Sequence, residues 1–171
     1  MDECRTTFHG SRGVSLTELL TVLAILSTLL SVATLGYHQW HVKYHQEAQI
    51  RTMMTDFNEL RLRAMTTKQR QSITVNKQNY VFKSYSSDDE PLTAGTVTLP
   101  PTRKVSYALM TNSTSFYNGQ SFEIDQRGML VGASGTIYLD GNGSASLDCL
   151  KIQTVRTNPG KKDALWSSCH D

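Results

Sequence analysis

An excess of either charge is what this sequence most plainly lacks: 17 Lys and Arg stand against 15 Asp and Glu in 171 residues, a formal net charge of +2. So balanced a chain is not a polyelectrolyte binder as a whole, and any contact with nucleic acid has to come from a local patch. Catalytic motifs are missing as well. There is no Gly-x-Ser-x-Gly, no His-Glu-x-x-His and no Gly-Lys-Ser/Thr loop; Gly128, Gly132 and Gly135 lack the following Lys-Ser/Thr and read as turn and strand-end glycines. No enzyme and no cofactor are expected. The run Asp140-Gly141-Asn142-Gly143-Ser144 begins like a calcium loop, but no Glu closes it at the right offset, so it reads as a hairpin turn. Asp88-Asp89-Glu90 reads as a solvated loop. Cysteine is scarce, with Cys4, Cys149 and Cys169 only, and there is no internal repeat or low-complexity linker.

What the chain does have is one long apolar run. From Val14 to Leu35 every side chain is apolar, Ser, Thr or Ala except Glu18. A helix over that run is roughly 33 Å long, enough to cross a hydrocarbon core. A carboxylate inside it costs on the order of 2.5–3.5 kcal/mol on insertion scales, and such charges are usually kept for a partner, here a cationic one. The order of parts is not that of a secretory signal: Arg12-Gly13 precedes the run and no Ala-x-Ala-like site follows it. Arg12 at the membrane edge favours a cytoplasmic N-terminus and puts everything after Gly36 across the inner membrane. The plain alternative is an ordinary membrane anchor with one tolerated Glu near its end, where snorkelling is cheap.

Gly13, Val14 and Glu18, in register with the apolar run, resemble the class III signal of type IV prepilins and pseudopilins. The resemblance implies a leader 1–13 removed after Gly13 by a prepilin peptidase and N-methylation of Val14. It also implies that the Glu18 carboxylate meets the N-terminal amine of a neighbouring subunit during filament assembly. The first mature residue is Val where the family usually has Phe, which bears on methylation more than on cleavage. With Cys4 lost in the leader, Cys149 and Cys169 remain as an even pair in a disulfide-permissive space, and a bridge between them is expected; two free buried thiols are the alternative.

Past the span (14–36), residues 37–171 make one further domain of about 135 residues. Tyr37, Trp40 and Tyr44 mark a bilayer exit. His38, His41 and His45 share a helical face, but no Cys or carboxylate completes a ligand set, so interfacial amphipathic histidines are the simpler account and no metal site is expected. Ile50, Met53, Met54, Phe57, Leu60 and Ala64 repeat at three and four residues, with Arg51, Asp56, Glu59 and Arg63 facing elsewhere: an amphipathic helix running to about 67. Strands are expected at 72–75, 80–85, 96–99, 105–110, 121–125, 135–140 and 149–155, parted by turns at 76–79, 86–91, Pro100-Pro101, Asn118-Gly119, Arg127-Gly128 and 141–143. The fold class is α+β, one long N-terminal helix packed on an antiparallel β domain (72–171), the type IV pilin-like arrangement.

The stretches 58–75 and 122–152 further resemble the GspH/FimT branch of that class. In FimT-like members a Gly-Arg-x-Arg motif after the last strand contributes to DNA binding. Here Arg156 matches, Val155 and Asn158 replace the other two positions, and Lys161 and Lys162 follow. Arg156, Lys161 and Lys162 are therefore the candidate phosphate contacts, against an ordinary solvated loop. Three functions are expected from the sequence. The leading one is a FimT-like minor pilin of a type IV pilus, a structural or tip subunit with other pilins, the prepilin peptidase, the inner membrane and duplex DNA as partners. The others are a GspH-like minor pseudopilin of a type II secretion system and a non-polymerising anchored periplasmic domain.

Overall fold

The computed structural model describes residues 13–87, 89–91, 93–97, 102–141, 145–166 and 168–170, with the backbone alone at 32–35. Residues 1–12 of the leader, Asp88, the Pro100-Pro101 turn, residues 98–99 of an expected strand and residues 142–144 of the calcium-like turn lie outside the described residues. The chain divides into two compact units, Met1–Gln39 and Trp40–Asp171.

In the first unit the helix α1 (Leu16–Thr67) begins. Its hydroxyls turn back onto its own backbone: Thr21 donates to the Glu18 carbonyl at 2.9 Å, Ser27 to Ala24 at 2.9 Å, Thr28 to Ile25 at 2.8 Å and Ser31 to Ser27 at 2.8 Å. Each of these four hydroxyls is satisfied within the helix, as an apolar solvent requires. Leu16, Leu19, Leu20, Leu23, Leu26, Leu29 and Leu30 are all exposed. The best 18-residue window has a mean hydropathy of 2.2 and none of it is buried, so by length and composition the segment is apt for a single membrane span.

In the second unit the apolar stripe works as the spacing predicts. Ile50, Met53, Phe57, Leu60 and Ala64 are buried, one above another along the helix. Lys68, in the left-handed region at φ 53°, ends the helix. Eleven strands follow among the described residues: β1 (Gln71–Asn76), β2 (Asn79–Ser84), β3 (Thr96–Val97), β4 (Arg103–Lys104), β5 (Leu109–Met110), β6 (Asn118–Ile124), β7 (Leu130–Val131), β8 (Gly135–Leu139), β9 (Cys149–Ile152), β10 (Thr157–Lys162) and β11 (Cys169–His170). One sheet runs β3-β2-β1-β6-β7, with β4 also on β2; the other runs β11-β10-β9-β8-β5. All pairings are antiparallel.

Period-two alternation sends Ile73 and Val75, Phe122 and Ile124, Ile137 and Leu139, and Leu150 and Ile152 into one core with the helical stripe. Registers align them: Ile73 sits opposite both Phe82 and Phe122, and Ile137 opposite Leu150. Phe57 meets Phe122 edge to face at 5.9 Å. Burying a side chain such as Phe57 contributes roughly 1.5–3 kcal/mol relative to leaving it in water.

Three expectations need correction. The expected turn Asn118-Gly119 is instead the start of β6. Only Leu109–Met110 of the expected strand 105–110 is a strand, because the amides of Ser106 and Tyr107 donate to Oε1 of Gln49 at 3.1 and 2.9 Å, and its Nε2 donates to the Tyr107 carbonyl at 2.9 Å. A helix side chain has taken the place of a strand partner. The expected strand 149–155 stops at Ile152, and the basic loop beyond it is strand β10. Pro159 disguised it; a proline is tolerated there because β11 covers only Lys161 and Lys162, leaving an edge at residue 159.

Candidate functional site

Two regions carry the sequence candidates. At the start of α1, Glu18 stands in the first turn, where the helix dipole favours a carboxylate. Val14 and Glu18 are exposed, and a side chain at Gly13 would meet nothing within 4 Å. Among the described residues none pairs with the Glu18 carboxylate.

The second region is the C-terminal hairpin. Arg156 lies in the turn between β9 and β10, exposed, its Nε donating to Oε1 of Gln153 at 2.9 Å. Lys161 and Lys162 close the other end of β10, about 17–20 Å of strand away. Their ammonium groups are engaged: Lys161 donates to the Ala145 carbonyl at 2.8 Å, and Lys162 to the carbonyls of Leu139 at 2.8 Å and Gly141 at 3.4 Å. Lys162 is only 9% exposed and lies over the Trp166 ring at 3.5 Å. Burial pushes its pKa below the usual lysine value, against the opposing pull of Asp148 and Asp140. The three basic residues thus do not form one open patch. Of the three, Lys161 and Lys162 alone border a cavity of about 470 Å³, with Asp148, Asp163 and Trp166. The expected bridge is present, Cys149 to Cys169, tying β9 to β11 across β10, with Met110, Tyr138 and Trp166 around it.

Sequence reasoning missed two buried polar clusters. Asp56, expected to face away from the stripe, is 4% exposed. It accepts from the Tyr80 hydroxyl at 2.6 Å and from Arg103 Nη2 at 3.3 Å. Burial first, then Asp56, pushes the Tyr80 hydroxyl far above the ordinary tyrosine range. Arg61 donates to the carbonyls of Gln153 at 2.7 Å, Thr154 at 3.1 Å and Gly128 at 3.4 Å, and burial lowers its pKa. It ties helix to both sheets' loops with no carboxylate. The only sequence signal for either cluster is that residues 56 and 61 each adjoin a stripe position, Phe57 and Leu60.

No family profile, no curated protein and no solved structure matches this chain.

Proposed function

We propose that this chain is a filament subunit of the type IV pilin class, a FimT-like minor pilin held by one helix in the bacterial inner membrane with its β domain in the periplasm. The observation that carries the reading is the start of α1. Apolar side chains are exposed all round, the hydroxyls are folded onto the backbone, and the one charge, Glu18, has no described partner five positions after Gly13. Such a surface is stable in lipid or among copies of itself, and a lone carboxylate there calls for an external cation. The amine released at Val14 by cleavage after Gly13 would supply it. Burial of Lys162 and engagement of Lys161 favour a purely structural subunit over a DNA-contacting one. That also favours the GspH-like pseudopilin as the second reading.

Co-expression with a prepilin peptidase should shorten the chain to begin at Val14, read by intact mass. The Gly13→Ala variant should stay full length. Processing that ignores this substitution sinks the filament reading.

A further inference from the structure

His41 and His45 stand one turn apart on α1, both exposed, with their Nε2 atoms 3.1 Å apart and ring centroids 4.3 Å apart. Two imidazole nitrogens bound to one ion at about 2.0–2.1 Å lie about 2.9 Å apart at a right angle and about 3.3 Å apart at the tetrahedral angle. The observed separation falls between these two. We propose that His41 and His45 form a two-imidazole chelate for a borderline divalent transition-metal ion of the Cu(II), Ni(II) or Zn(II) kind, its remaining positions filled by water.

In the metal-free pair one Nε2–H is shared between the rings. Binding needs both Nε2 lone pairs, so that proton moves to Nδ1 of its own ring through solvent, and no proton is released overall. Exposure of both rings permits that exchange. No group of three or more His, Cys, Asp or Glu gathers among the described residues, so the protein supplies two ligands and the ion exchanges readily. The surrounding charge also limits affinity. His45 borders a cavity of about 230 Å³ with Arg103 and Lys104; Arg103 is paired to Asp56 at 3.3 Å, and Lys43 lies 4.0 Å from Glu47. Lys104 disfavours a dication nearby. A bound ion would clip one turn of the helix more firmly than the 3.1 Å contact between the two rings does.

The test is a calorimetric titration of the full chain in detergent micelles, stripped of metal, with copper, nickel and zinc sulfates alone. One ion per chain is expected, with Cu(II) bound more tightly than Ni(II) or Zn(II). His41→Gln and His45→Gln should each weaken binding by about 10–100-fold or more, at least the loss caused by removing an outer-shell partner. His9→Gln, His38→Gln and His170→Gln should leave it unchanged. The paramagnetic resonance spectrum of the Cu(II) form should report two nitrogen ligands in the parent and one in either key variant. Absence of saturable Cu(II) binding, an unchanged affinity in His41→Gln, or an equal loss in any of the three control variants overturns the assignment. None of these outcomes depends on cleavage at Gly13, so the filament reading stands or falls separately.

Discussion

A phenol held next to a buried carboxylate is easier to bury than to ionise. Tyr80 and Tyr117 are 1% and 4% exposed, and both hydroxyls are pushed well above the ordinary range, chiefly by burial. Below about pH 10 each is neutral in the folded and unfolded chains alike. Above it the unfolded chain loses these protons and the folded chain keeps them, so stability falls as pH rises, by about 1.4 kcal/mol per pH unit for each tyrosine. The Lys162 shift acts in the opposite sense, adding stability as pH rises from its lowered value toward the usual lysine range, so the tyrosines should dominate beyond pH 10. Urea melts at pH 9 and pH 11 should show a clear loss for the parent and a smaller one for Tyr80→Phe. Little of this was legible in the sequence. Asp56 obeys the helical period of an outward residue, and only the distant arrival of Tyr80 and Arg103 makes its burial tolerable. Glu18 was legible because its neighbours are all apolar, a contrast that needs no tertiary partner.

At the scale of elements, β11 is held by few backbone pairs, since it meets β10 only at Lys161 and Lys162. The Cys149–Cys169 bridge spans 20 residues and in the chain-entropy model stabilises by roughly 3 kcal/mol. A Cys149→Ala/Cys169→Ala chain should lose stability of about that order in equilibrium denaturation, and 163–170 should lose amide protection first. Close packing makes Gly160 part of the same device, because a Cβ there would run into the His170 carbonyl and lie 3.0 Å from Cys169 Sγ. A strand whose apolar residues alternate in sequence, such as β1 with Ile73 and Val75, was readable from pattern. β10 was not, because Thr-Asn-Pro-Gly-Lys-Lys carries turn residues and no apolar period. The last turns of the helix were readable because propensity and stripe agree there.

For the whole molecule, the exposed apolar start of α1 suits apolar surroundings outside the chain, and on the proposed reading these are first lipid and then other subunits. Glu18→Leu should still enter membranes and still be processed, since neither step uses the carboxylate, yet it should be depleted from sheared filament fractions on immunoblots. Recovery at the parental level would assign the carboxylate another role.

The order of strands also sets an order in time. β1 pairs with β2, next to it in the chain, and also with the distant β6, Gln71 opposite Ile124, and the second sheet is finished only when β9, β10 and β11 arrive. Ile50, Met53 and Phe57 are made before every strand that covers them. A nascent chain therefore carries an uncovered greasy ridge through most of its synthesis, and pairing across so many residues is intrinsically slow. Its demand on holding chaperones should peak before residue 150 is made and drop sharply after it.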